Sequence, residues 1–210
     1  MRILLTALVL SLLPQAAGLL ADENPRVFMF VTEGSRDPDL MIGEEVGVMR
    51  KMLEDAGYAV DIATTRDAPL AGERLALTPT IALADVDIER YAGVVLPCMA
   101  PAPGTTIPAV VEDLVRAALA AGKPVAASRG SVATLARAGG LAGHDFAYAS
   151  PVDPDKRPEF TGGRYLGTGT VRDGLISTTG ICPLAARELD MPDGTAALME
   201  SFIATLAGTG

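Results

Sequence analysis

The chain predicts an α/β fold, a three-layer sandwich around a mostly parallel central sheet. Three observations carry this. Val27 to Thr32 is an almost unbroken apolar run, as a strand covered on both faces requires. Leu40 to Ala56 then places Ile42, Val46, Met49 and Leu53 at helical spacing, and Gly57 closes it. Tyr58 to Ala63 returns to a strand, completing a βαβ unit and with it the expectation of parallel pairing.

The alternation continues along the chain. Gly93 to Pro97 reads as a strand, and Pro108 to Ala121 as a helix with Val111, Leu114, Val115 and Ala118 inward. Pro124 to Ala127 is the next strand, and Ser131 to Ala138 the helix after it. A hairpin-like insert occupies Leu70 to Val86. Ser150 to Gly163, rich in Pro, Asp and Gly, is irregular, and such loops commonly rim a site. Gly167 to Val171 and Leu175 to Thr178 flank Arg172-Asp173-Gly174, a turn signal of the Asp-Gly type. A last helix starts near Asp193, which can cap it, and buries Leu198, Phe202 and Leu206.

With 210 residues the chain has the length of one domain, here residues 26–210, and can bury a core without staples. Arg2, the apolar run Ile3 to Leu13, and then Pro14, Ala16, Ala17 and Gly18 have the layout of a secretory signal peptide over residues 1–21. Cleavage would follow Gly18 or Ala21. The alternative is an uncleaved N-terminal anchor, although the run is short for a bilayer. The expectation is an exported protein, periplasmic or secreted. The formal net charge is −9, and loss of Arg2 with the leader makes it one unit more negative. An acidic surface argues against nucleic acid and anionic membranes as partners. The chain has no Trp and few aromatic residues, which disfavours a sugar-stacking surface.

The most informative stretch is Gly122-Lys123-Pro124-Val125-Ala126-Ala127-Ser128-Arg129-Gly130-Ser131, a buried strand running through a sharp turn into a helix. In α/β folds that junction holds a nucleophile or an anion-binding loop. Here it carries Ser128 and Arg129, without cysteine or histidine. The Gly122 to Ala127 part of this stretch, together with Val27 to Thr32, Ala56-Gly57-Tyr58-Ala59-Val60, Tyr91-Ala92-Gly93-Val94-Val95-Leu96-Pro97 and Leu135-Ala136-Arg137-Ala138-Gly139, resembles the ThiJ/PfpI family of the class I glutamine amidotransferase-like superfamily. That family includes the parkinsonism-associated deglycase, and the resemblance implies a flavodoxin-like sheet. It runs from about Arg26 to the C-terminus.

In that family the elbow reads Ile-Cys-His-Gly, and a glutamate from the first helix contacts the cysteine. Ungapped placement sets Ser128 on the isoleucine, Arg129 on the cysteine and Gly130 on the histidine. A placement shifted by one residue would instead put Ser128 on the cysteine, at the cost of compensating gaps. The family's glutamate matches Glu45. Independently, Glu45 lies three residues after Ile42 and four before Met49, on the inward side of its helix, whereas Glu44 faces outward. A buried carboxylate needs a partner or a raised pKa, and Arg129 is the expected partner. The alternative is an Arg129 that swings into solvent.

Cys98 follows a strand at its C-terminal end, where parallel sheets place their sites, and Cys182 follows another. Both can border one crevice. Three readings stay open for them: buried thiols, a disulfide, or a displaced nucleophile. His144, the sole histidine, follows a turn and reads as a surface residue. With it and two separated cysteines, no metal-ligand set is expected. Gly162-Gly163 and Gly167-x-Gly169 read as turns, not as a dinucleotide fingerprint, and no cofactor is expected. Asp85, Asp87 and Glu89 read as a solvated connection.

Two functions follow. One is a pseudoenzyme that binds a small anionic or carbonyl-bearing ligand through Ser128, Arg129, Gly130 and elbow amides, with Cys182 nearby and Glu45 beneath. The other, implied by the resemblance, is a hydrolase, glyoxalase or deglycase-type enzyme with Ser128 or Cys98 as nucleophile and Glu45 beside it. The resemblance also implies a homo-oligomer, by analogy alone.

Overall fold

The computed structural model describes residues 24–149 and 152–209. The leader expected over residues 1–21 lies outside them. The first strand, β1 (Arg26–Val31), leads into a helical segment spanning residues 38–55. It is built from α1 (Pro38–Leu40), a π-helical stretch Met41–Gly47, and α2 (Val48–Asp55). Asp37 starts it by accepting the Leu40 N–H at 3.1 Å. Then come β2 (Ala59–Thr64), the small hairpin β3 (Leu70–Ala71) and β4 (Ala76–Leu77), and β5 (Tyr91–Leu96). Helix α3 (Ala109–Ala120) leads to β6 (Val125–Ser128), a 3-10 turn at Arg129–Ser131, and α4 (Val132–Arg137). The short pair β7 (Asp145–Phe146) and β8 (Arg164–Tyr165) precedes β9 (Thr170–Asp173), β10 (Ile176–Thr179), α5 (Pro183–Leu189) and α6 (Thr195–Gly208).

Six strands form the central sheet in the order β2-β1-β5-β6-β10-β9. All neighbours pair in parallel except β9, which runs antiparallel to β10 at the edge. Alternate residues of β1 feed opposite faces. Val27, Met29 and Val31 pack with Met49, Leu53, Leu198 and Phe202, while Phe28 and Phe30 pack with Val111, Val115, Val132 and Leu135. Helices therefore cover both faces, which explains why the strand sequences lack alternation. Each of these fully buried large side chains contributes about 1.5–3 kcal/mol of transfer free energy. Gly93 lets α6 approach the sheet: a Cβ there would lie 2.8 Å from the Phe202 ring.

Several details differ from expectation. Arg172 and Asp173 belong to β9, and the hairpin turns at Gly174 and Leu175, with Gly174 in the left-handed region at φ +57°. Helix α5 occupies Pro183–Leu189, to which the sequence reading assigns no element. The first helix contains a π-helical stretch, whose wider turn the spacing of apolar residues does not reveal. Asp193 does not cap the last helix: Gly194 is its N-cap, without a side-chain cap, and Asp193, one residue earlier, accepts the Thr195 N–H at 3.1 Å.

Candidate functional site

Strand order reverses beside β1, whose chain neighbour β2 lies on one side and β5 on the other. Crevices open at the C-terminal ends of strands at such a switch point. There the ends of β1, β5 and β6 gather around Glu45, which the π-helical stretch points at the sheet and buries completely. Glu44, its neighbour, is exposed and pairs with Arg187.

Three donors hold the Glu45 carboxyl group. Oε1 accepts the Ser128 hydroxyl at 2.8 Å and the Cys98 N–H at 3.1 Å, and Oε2 accepts the Met99 N–H at 2.8 Å. Those amides are aimed by the turn after β5, where Met99 and Ala100 take left-handed φ values of +53° and +42°. Such backbone costs on the order of 1–3 kcal/mol per residue and persists only when its surroundings enforce it. Burial pushes the Glu45 pKa up to about 8, with a smaller push from the charge of Cys182, against the pull of the three hydrogen bonds. Glu45 is thus largely protonated at neutral pH.

The expected ion pair between Arg129 and Glu45 does not form. The Arg129 guanidinium lies 3.8 Å from the Glu188 carboxylate and 4.0 Å from the Cys182 sulfur, on the side of α5. The reason is local: Ser128 and two backbone amides already satisfy Glu45, and Arg129 leaves the strand with a left-handed φ of +37° that turns its side chain toward α5. Nor does Arg129 swing freely into solvent, since its side chain is only 19% exposed. The strained residue of the elbow is therefore Arg129, while Ser128 still belongs to β6 and is fully buried.

The two cysteines, distant in sequence, meet under this turn. Both are free thiols and both are buried. The neighbouring Cys182 and burial raise the Cys98 pKa well above its ordinary value. Cys98 beside it, the Ala185 N–H and Arg129 lower that of Cys182 to about 6, against the rise that burial brings.

Above Cys98 opens a cavity of about 210 Å³. Its walls include Thr32, Thr105, Gly130, Ser131, Arg137, Tyr148 and Arg157. Arg157 donates to the Tyr148 hydroxyl and to Glu159, and its guanidinium lies 5.1 Å from the centre of the Phe160 ring. Arg137 donates to Glu112 at 2.5 Å and to Thr134 at 3.3 Å. A guanidinium has five N–H donors, so these bonds leave donors over on both. Ser131 is tied to the Pro97 carbonyl at 2.6 Å. Arg129 and Cys182 do not line the cavity, whereas Cys98 and Gly130 do. A wider groove of about 480 Å³ runs past Arg36, Asp37, Asp39 and Arg74, but the Asp39 carboxylate in it is already spent on the β3–β4 hairpin amides.

The structure thus brings Glu45, Ser128, Cys98 and Cys182 together and turns Arg129 aside. Sequence reasoning missed Arg137, Tyr148 and Arg157. The Pro-rich stretch that contains Arg157 was marked as a rim, but nothing in it singles out the residue that folds inward. His144 lies elsewhere, 3.3 Å from Asp173. Among the described residues no group of three or more His, Cys, Asp or Glu side chains is arranged to hold a metal ion.

The profile of the DJ-1/PfpI family matches residues 25–189. The chain belongs to the DJ-1/PfpI family. A ThiJ/PfpI domain protein from Brachyspira murdochii superposes with a TM-score of 0.67 at 16% identity, over 89% of this chain and 98% of that one. The DJ-1beta protein of Drosophila melanogaster gives 0.61 at 20% identity, over 89% and 97%. A DJ-1 superfamily protein from Agrobacterium tumefaciens gives 0.60 at 19%, over 86% and 98%. At these identities the likeness is one of fold. No curated protein matches the sequence.

Proposed function

We propose that this DJ-1/PfpI domain binds a small anionic or carbonyl-bearing ligand in the cavity above Cys98 and does not hydrolyse it. The observation that carries the reading is the pairing of two guanidinium groups, Arg137 and Arg157, with the Tyr148 hydroxyl around a space of about 210 Å³. That space suits a molecule of a few heavy atoms, and Arg donors match a carboxylate or a polarised carbonyl. The anion contact is thereby assigned to Arg137 and Arg157 in place of Arg129.

Hydrolysis is disfavoured by how the acid–base groups are spent. The Ser128 hydroxyl is buried against Glu45, and Glu45 itself is largely protonated and faces three donors. Cys98 holds its proton, Cys182 with its lowered pKa does not line the cavity, and His144 sits at Asp173. A serine or thiol without a base at hand is a weak nucleophile. The left-handed φ of +37° at Arg129 supports placing it where the family's cysteine would stand.

Calorimetric titration with acetate, pyruvate and methylglyoxal tests this. Saturable one-to-one binding of pyruvate, weakened about tenfold or more in Arg157→Gln, is expected from loss of a charge-assisted contact. Binding unchanged in both Arg157→Gln and Arg137→Gln would remove the proposal. The same reading places the protein outside the cytoplasm, on the strength of the leader-like residues 1–21. N-terminal sequencing of the protein from cell fractions tests that: a cytoplasmic chain retaining Met1 contradicts it.

A further inference from the structure

One polar group in the wall of the cavity above Cys98 has no role in the binding described so far. Thr32 directly follows β1, along which Val27, Met29 and Val31 pack into one layer of the core while Phe28 and Phe30 pack against α3 and α4. Side chains alternate along a strand, so Thr32 falls on the face of α3 and α4, from which Ala133 and Arg137 line the cavity. Thr32 also borders a second space of about 210 Å³, but Leu70 and Met99 in that wall belong to the opposite layer. Only 1% of Thr32 is exposed, and its hydroxyl has no hydrogen-bond partner among the described residues. Nor is it sealed: among those residues the one sealed side-chain oxygen or nitrogen without a partner is Thr179 Oγ1. The Thr32 hydroxyl therefore opens on the cavity with its proton unspent.

The other groups around the space define what it lacks. Ser131 gives its proton to the Pro97 carbonyl at 2.6 Å, and Thr105 gives its own to the Ala102 carbonyl at 2.8 Å. Tyr148 accepts from Arg157 and keeps its own proton beside that guanidinium. Among the described residues no carboxylate lines the cavity. The strong donors left for a ligand are thus Arg137, Arg157, Tyr148 and Thr32, and all of them require acceptors. A plain carboxylate held by the two guanidinium groups would leave the Thr32 hydroxyl unmet in a space it had closed to water, which weakens binding.

Resting on the binding reading, we infer that the ligand is a small 2-oxocarboxylate and that Thr32 is the residue that selects it. The carboxylate takes the Arg137 and Arg157 donors, and the carbonyl oxygen on the adjacent carbon accepts the Thr32 hydroxyl. Both groups of such a ligand are acceptors, as the lining demands. A simple aldehyde lacks the anion, and a simple acid lacks the carbonyl.

Calorimetry of the folded chain with pyruvate and with propanoate, which has the same carbon skeleton without the carbonyl oxygen, tests this. In the wild type pyruvate binds about tenfold more tightly than propanoate or better. In Thr32→Val, which keeps nearly the same shape and loses the hydroxyl, pyruvate falls to the affinity of propanoate while propanoate binds as before. Thr32→Ser restores the preference. Arg157→Gln weakens both acids and leaves their ratio unchanged. A merely structural Thr32 would lower both affinities together and shift the urea midpoint. That result, or equal affinities in the wild type, overturns the inference and leaves ligand binding standing. Where Thr32→Val fails to fold, the wild-type ratio decides. A wild type that binds neither acid removes the binding reading and this inference with it.

Discussion

The Ser128 hydroxyl donates to Glu45 Oε1 at 2.8 Å across the bottom of the elbow, and both residues are sealed from solvent. A hydroxyl held there is part of the scaffold and has no path to a substrate.

Ser128→Ala should therefore behave as a stability mutation. It removes one of the two donors to Glu45 Oε1 and leaves the Cys98 N–H, and a lost hydrogen bond of this kind costs about 0.5–1.5 kcal/mol. Urea denaturation checks this, and ligand affinity should change far less than stability. A neutral Ser128→Ala would mean that the hydrogen bond contributes nothing.

Stability should fall as pH rises through the Glu45 window. Glu45 has its folded pKa raised from 4.5 to about 8, so between those values the folded chain holds a proton that the unfolded chain has lost. Its contribution is full below about 4.5 and gone above about 8. Cys182 acts with the opposite sign: with its pKa lowered from 9.0 to about 6, its contribution is present above 9 and lost as pH falls through about 6. The two trends oppose each other between about 6 and 8. Glu45→Gln should remove the downward slope from the stability profile and Cys182→Ser the upward one, as read by denaturation at a series of pH values. A Glu45→Gln profile parallel to the wild type contradicts the assignment.

Arg129 carries two separable effects. Its guanidinium holds the Cys182 thiolate, so Arg129→Met should raise that thiol's pKa, seen in the ultraviolet absorbance of the thiolate against pH. Its left-handed φ of +37° strains any residue with a Cβ. Arg129→Gly should raise the same pKa while unfolding later than Arg129→Met, by about 1 kcal/mol. Equal stability of the two variants would mean that the elbow is not strained.

Gly130 separates binding from folding. A Cβ there meets Cys98 Sγ at ordinary contact distance, 3.5 Å, and projects beside the cavity. Gly130→Ala should keep stability within about 0.5–1 kcal/mol of wild type and weaken pyruvate binding several-fold. Unchanged binding would place the ligand elsewhere.

Much of the architecture was legible because covered strands and amphipathic helices write their periods directly: Val27 to Thr32, the Ile42–Leu53 face and the inward Val111, Val115 and Ala118 all pack as their spacing predicts. Glu45 was legible as an inward carboxyl because it shares that face. Its partner was not. Charge alone suggested Arg129, but hydrogen bonds are settled by which donors reach first, and here two amides of the turn after β5 and the Ser128 hydroxyl do so. Backbone donors leave no mark in a sequence. The same holds for Arg157, which reaches the cavity only through the course of a Pro-rich loop, and for the meeting of Cys98 with Cys182, which depends on loops after strands that are not neighbours.

The most direct measurement for binding without hydrolysis is steady-state turnover of methylglyoxal and simple esters by the purified chain, beside Ser128→Ala, Cys98→Ala and Glu45→Gln. The account predicts rates indistinguishable from buffer for all four proteins, with pyruvate binding intact in the wild type. Turnover by the wild type that Cys98→Ala or Ser128→Ala abolishes would contradict it and identify the nucleophile.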